Sequence, residues 1–272
     1  MLFSFLVSLR EGFEIALILA IVLGYLARTG NRRHFRDIWV GTGLAVALTI
    51  GVVFVLQATA SELSGTAREA FEGTIMLAAA ATLTWMVLWM RRQAVSLGRD
   101  LRTGVDVALA RGSLFALAGL AFSAVIREGI ETALFLFAGA RASAGSAGEF
   151  WAGGAIGFAV AAALGYAVYR GSHLLPVRQF FTVTGVVVLV IAAGLLSNGL
   201  AELHEAQLIP QLGPRPWDMD AVLSISSTAG QFLHALVGYD PAPTWGQIVL
   251  FWTYLAGGLG VFFTMGGVRA SS

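Results

Sequence analysis

The sequence predicts an all-α integral membrane protein with seven transmembrane helices, laid out as two inverted three-helix repeats plus a seventh helix. Three observations predict it. Only 12% of the 272 residues are charged, against 57% hydrophobic, where a soluble domain carries about 25% charged residues. Seven apolar segments are each long enough to cross a hydrocarbon core of about 30 Å. One charged motif, R-E-G-apolar-E, occurs twice, as REGFE at 10–14 and REGIE at 127–131.

The first segment runs over 3–27. It is not a cleaved leader, because its charges lie inside the apolar run rather than before it. The others fall at 38–60, 69–90, 113–140, 150–169, 180–205 and 246–268. The connections are short, apart from 206–245, where the stretch 221–238 has the pattern of an amphipathic surface helix. This divides the chain into 1–90, the first repeat; 91–205, the second and inverted repeat; 206–245, an extracytoplasmic segment; and 246–272, the seventh helix with a cytoplasmic tail.

Arginine sets the orientation. The alternate loops at 28–37, 91–112 and 170–178, with the C-terminus, hold Arg28, Arg32, Arg33, Arg36, Arg91, Arg92, Arg99, Arg102, Arg111, Arg170, Arg178 and Arg269. The opposite side holds Arg68, Arg141 and Arg215. The richer side faces the cytoplasm, so the N-terminus is outside and the C-terminus inside. The net charge of +1 points to no nucleic-acid partner, and the absence of Cys excludes thiolate ligands and disulfides.

The two motifs lie in spans of opposite direction, the arrangement of inverted-repeat transporters. Arg10 is eight residues from Leu2, roughly 12 Å at 1.5 Å per residue, and Glu131 is ten residues from Arg141, roughly 15 Å. Both motifs therefore sit at similar depth, where a two-fold axis in the membrane plane would bring them together. Residues three apart share a helix face, so Glu11 with Glu14, and Glu128 with Glu131, each project two carboxylates one way. A buried carboxylate needs compensation. Arg10 and Arg127 each stand four residues before a glutamate and supply part of it, leaving about −2 for a multivalent cation to balance. Gly12 and Gly129 allow close helix approach.

Two further E-x-x-E pairs, Glu69/Glu72 and Glu202/Glu205, fall at the outer ends of the third and sixth spans and suit a negative vestibule. All-oxygen ligands select hard cations. His34 and His173 fall in inner loops. His204 points off the face of its glutamate neighbours, and His234 lies in the outer segment. Met76, Met86 and Met90 suit packing. The plainer alternatives are a scaffold whose Arg–Glu pairs only join helices, and an intramembrane carboxylate enzyme; neither a His pair nor a nucleophile motif supports the enzyme.

The paired REGFE and REGIE, FEG at 71–73, ELHEAQLIP at 202–210 and the GQFLHALVGY stretch resemble the oxidase-dependent iron permeases, whose branches include fungal high-affinity and bacterial elemental-iron uptake permeases. The resemblance covers essentially the whole chain. It implies a permease rather than an enzyme, importing iron across the cytoplasmic (inner) membrane, with Glu11, Glu14, Glu128 and Glu131 handling the metal and Arg10 and Arg127 completing the motif. It implies iron as transported substrate, no permanently bound cofactor, and a separate periplasmic protein that oxidises or delivers iron. The residues by themselves reach only a hard multivalent cation; manganese or another divalent ion is the alternative cargo, and the resemblance adds lead, since the family includes members proposed to carry it.

Overall fold

The computed structural model describes residues 1–93, 97–110, 114–142, 146–171, 177–210 and 212–267. Arg111, His173 and Arg269 lie outside these, and so do the side chains of Arg91, Arg92 and Arg178. No strand occurs among the described residues. The helices are α1 (Leu2–Arg28), α2 (Phe35–Glu62), α3 (Thr66–Gln93), α4 (Leu97–Ala110), α5 (Leu114–Ala142), α6 (Ala147–Tyr169), α7 (Val177–Glu205), α8 (Thr228–Val237) and α9 (Trp245–Gly267).

All seven apolar segments fold as helices over their described residues. Five of them, α2, α3, α6, α7 and α9, are long and apolar enough to cross a membrane. Helices α1 and α5 match them in length at 27 and 29 residues, and their interior charges set them apart. The outward faces are apolar: Phe54, Val55, Phe115, Val183, Trp252 and Phe263 are all exposed. A soluble molecule would not leave so much apolar surface in water, whereas a lipid-facing one does.

Helix α4 is an addition to the seven. It falls within 91–112, where the sequence reading placed only a loop, because it is short and carries Arg99, Asp100, Arg102 and Asp106 on one side. Its other side places Val105 and Ala108 against Val22, Leu26, Ile38, Leu117 and Ala121, and Asp106 accepts a hydrogen bond from the Tyr25 hydroxyl at 2.7 Å. In the outer segment the observed helix is α8, shorter than 221–238. Ser227 caps it by accepting from the Gly230 amide, and Gly238 ends it with a left-handed φ of 66°.

Three pairings organise the bundle: α1 with α6, α2 with α5, and α3 with α7. Glycines set their register. On α6, Gly153 faces the Met1 carbonyl, Gly157 faces Phe5 and Leu9, and Gly165 faces Ala16, so α1 and α6 run parallel. Gly41 faces the Ala118 carbonyl and Gly129 faces Thr49, so α2 and α5 are also parallel. Gly73 meets Gly199 while Gly185 meets Val87, so α3 and α7 are antiparallel. The main core fills the space between α1, α3, α5 and α7, with Phe3, Met76, Leu83, Phe135 and Leu189 at its centre.

Candidate metal centre

Both motifs lie inside unbroken helices, so their side chains are aimed by backbone that is already rigid. Each motif glycine sits where another helix presses in. A Cβ on Gly12 would lie 2.8 Å from a Phe158 ring carbon and 2.9 Å from the Ala161 Cβ, and one on Gly129 would collide with the Thr49 hydroxyl. Glycine here removes the bulk that would hold α6 and α2 away.

The bundle brings the two motifs together. Glu11, Glu128 and Glu131 each offer a carboxylate oxygen, and the three oxygens lie within 4.8 Å of one another. All three residues are buried, Glu11 completely, and Glu14 is 5% exposed. Glu14 is outside that group of three but within electrostatic reach of Glu128 and Glu131.

The arginines act differently in the two halves. Arg10, 1% exposed, bridges both glutamates of its motif: Nη1 is 3.2 Å from Glu11 Oε1, and Nη2 is 3.3 Å from Glu14 Oε1. Arg127 donates to the adjacent Glu128 at 2.6 and 3.0 Å, rather than pairing four residues on with Glu131. Its guanidinium is turned toward the Trp89 ring, 4.8 Å from the centroid, a favourable cation–π placement.

Helix α3 thus touches both arginines, which the sequence reading missed. Arg10 also donates to the thioether sulfurs of Met86 at 3.2 Å and Met90 at 3.5 Å. The available signal was the spacing of Met86, Trp89 and Met90, which lie on one helix face.

Glu11 Oε2, Glu128 Oε2 and Glu131 Oε2 are buried without a hydrogen-bond partner, while Glu14 Oε1 has no hydrogen bond but faces Arg10 across the ion pair. Burying an ionised oxygen without a partner costs several kcal/mol. Four carboxylates against two guanidinium groups leave a formal −2. The arrangement therefore suits a divalent cation held by oxygen.

The outer glutamates form a second group. Glu72 accepts from Arg68 at 2.8 Å and pairs with Arg141 at 3.4 Å. Glu202 is in electrostatic reach of Glu205, Glu72, Glu69 and Arg68, so all four gather at one end of the α3–α7 pair. Arg141 stands ten residues along α5 from Glu131 and thirteen from Glu128, so about 15–20 Å of helix lies between its backbone and the inner glutamates. His204 is turned away, with Nδ1 3.1 Å from the Ile209 carbonyl. His234 Nδ1 lies 2.6 Å from the Tyr239 carbonyl, and Met76 is in the core.

Residues 1–270 match the family described as the Iron permease FTR1 family. The chain belongs to that family. Among its relatives, the ferrous iron permease EfeU of Escherichia coli O6:H1 (strain CFT073) is 36% identical over 266 residues, 96% of this chain and 95% of the relative. EfeU of Yersinia pestis is 35% identical over 265 residues, 97% and 93% of the two chains. A protein described as a putative inactive ferrous iron permease EfeU, from Escherichia coli strain K12, is also 36% identical. No solved structure matches the chain. This FTR1 member is therefore a multi-pass membrane transporter and not an enzyme.

Proposed function

We propose that the protein imports ferrous iron across the cytoplasmic membrane through one site built from Glu11, Glu14, Glu128 and Glu131, with Arg10 and Arg127 reducing its negative charge. One observation carries this reading: Glu11, Glu128 and Glu131, whose carboxylates converge from both motifs, each bury an oxygen that nothing in the protein satisfies. The formal −2 of the site matches a divalent ion, and the relatives named above are described as ferrous iron permeases.

The helix directions support two inverted repeats. Parallel α1 and α6, parallel α2 and α5, and antiparallel α3 and α7 mean that α1-α2-α3 and α5-α6-α7 run in opposite senses once each helix crosses the bilayer. Register agrees. Gly153 faces the carbonyl of Met1 as Gly41 faces that of Ala118, and Ala161 meets Gly12 as Thr49 meets Gly129. A shift of 117 residues relates α1 to α5, and a shift of 112 relates α2 to α6, in both comparisons. Helix α9 is the seventh span, the N-terminus is periplasmic and the C-terminus cytoplasmic. Glu69, Glu72, Glu202 and Glu205 form the outer vestibule, which receives ferrous iron from a separate periplasmic protein that delivers it.

The test is uptake by proteoliposomes of ferrous iron and of manganese, with Glu11→Gln and Glu128→Gln beside the parent. Losing one charged acceptor is worth about 1.5–3 kcal/mol, so affinity for ferrous iron is expected to fall roughly ten-fold or more. Normal binding and uptake by both folded variants would reduce the motifs to helix staples.

A further inference from the structure

Among the described residues, two buried hydroxyls have no hydrogen-bond partner. A Ser or Thr inside an apolar helix satisfies its hydroxyl by donating back to a carbonyl three or four residues earlier. Ser4, Thr49, Thr84, Thr132 and Thr184 all do so, at 2.5 to 2.9 Å. Ser8 and Thr42 do not. Ser8 is 0% exposed and Thr42 is 7% exposed, and neither hydroxyl oxygen has a hydrogen-bond partner.

Their placement is related by the two halves of the fold. Ser8 stands three residues before Glu11 on α1, at the contact with α6, where a Cβ on Gly154 would lie 3.3 Å from its hydroxyl. In the second half the residue three before Glu128 is Val125, which has no hydroxyl. Thr42 occupies on α2 the position that Gly154 occupies on α6, since each follows a glycine that faces a first-helix carbonyl, Gly41 or Gly153. Each of the two equivalent helix pairs, α1 with α6 and α5 with α2, thus keeps one unsatisfied hydroxyl at the matching contact, and both hydroxyls come from the first repeat. Ser8 lies one turn from Glu11 toward the N-terminus of α1. Thr42 lies seven residues before Thr49, the residue facing Gly129, and so toward the N-terminus of α5. The parallel pairings put these two ends on opposite sides of the glutamates.

We propose that Ser8 and Thr42 are paired way-stations for the cation, Ser8 on the outer approach to the four glutamates and Thr42 on the inner exit. This rests on the four-glutamate site proposed above. A neutral hydroxyl oxygen replaces one water of a hard cation's shell without holding the ion as a carboxylate does. Conduction requires such weak binding beside a strong site.

The experiment uses right-side-out proteoliposomes and iron kept ferrous under reducing, anoxic conditions. Ser8→Ala is expected to raise the KM for external iron, and Thr42→Val to lower the maximal rate, each by roughly three- to ten-fold, as for one lost hydrogen-bond-like contact. Ser8→Thr and Thr42→Ser, which keep the hydroxyl, are expected to restore transport. Equilibrium iron binding should stay within about two-fold, far less than the loss a motif glutamate produces. Thermal unfolding in detergent should be unchanged or slightly raised, since the deleted group is buried without a partner. A packing role predicts the opposite, lower stability together with lower transport, and that result overturns the proposal. Normal transport by Ser8→Ala and Thr42→Val while Glu11→Gln is inactive also overturns it and leaves the glutamate site standing. Normal transport by Glu11→Gln as well would sink the glutamate site itself.

Discussion

Arg10→Gln is the sharpest probe of how the buried charges are held. Arg10 is 1% exposed and joins Glu11 at 3.2 Å, Glu14 at 3.3 Å and two methionine sulfurs. Removing one partner of a buried pair strands the other and costs about 3–5 kcal/mol. Here it strands two carboxylates at once and moves the formal charge of the group from −2 to −3, so the upper end of that range is expected. Glu14→Gln added to Arg10→Gln removes one charge of each sign and returns the group to −2. The double variant should therefore be destabilised less than the sum of the two singles, by a coupling of about 0.5–3 kcal/mol for groups in contact. Thermal unfolding of the four proteins in one detergent measures the coupling, with ferrous iron titrated into each. Arg10→Lys should recover little, because an ammonium cannot reach two carboxylates as a planar fork does. Additive losses, or an Arg10→Gln variant as stable as the parent, would refute the view that Arg10 balances these glutamates.

Two other expectations follow from the geometry. Gly129→Ala drives a methyl into the Thr49 hydroxyl; overpacking of this kind costs about 1–3 kcal/mol, and Thr49→Ala in the same chain should recover most of the lost stability and uptake. Because the chain has no Cys, single Ser64→Cys and Gly30→Cys variants report topology cleanly: Ser64→Cys should react with an impermeant maleimide from the periplasmic side and Gly30→Cys should not, and the reverse labelling would invert the orientation.

The long helices were legible because each carries its own signal, an apolar run of membrane length. The meeting of Glu11 with Glu128 and Glu131 was legible for a different reason: a charged motif repeated in apolar helices leaves few other ways to keep its charges from lipid. Helix α4 was not legible as a helix, because a short amphipathic segment rich in Arg reads the same as a loop. The roles of Met86, Trp89 and Met90 were hidden because they depend on α3 lying across two helices distant in sequence. Met86 looks like any core methionine until Arg10 is seen beside it. Spacing points Arg127 to Glu131, four residues on, whereas its guanidinium pairs with the adjacent Glu128 and lies over the Trp89 ring, a placement that a single helix cannot reveal. Ser8 and Thr42 stand out only once the hydroxyls around them have been seen to bond to their own backbone.

The parallel pairing of α1 with α6 has a consequence for biosynthesis. Gly12 settles against Ala161, about 150 residues later in the chain. At about 5–20 residues per second of synthesis, α1 is inserted roughly 8–30 s before its partner exists. For about the first half of that interval Arg10, Glu11 and Glu14 have neither α3 nor α6 around them, and for the rest they lack α6; a helix carrying three interior charges is a poor substrate for release into lipid. The first helix must be held by the insertion machinery, or sit shallowly at the interface, until α6 arrives. Ribosome-stalled chains ending before and after α6 would therefore differ in how readily α1 is extracted from the membrane, with the change falling after Ala161 has emerged.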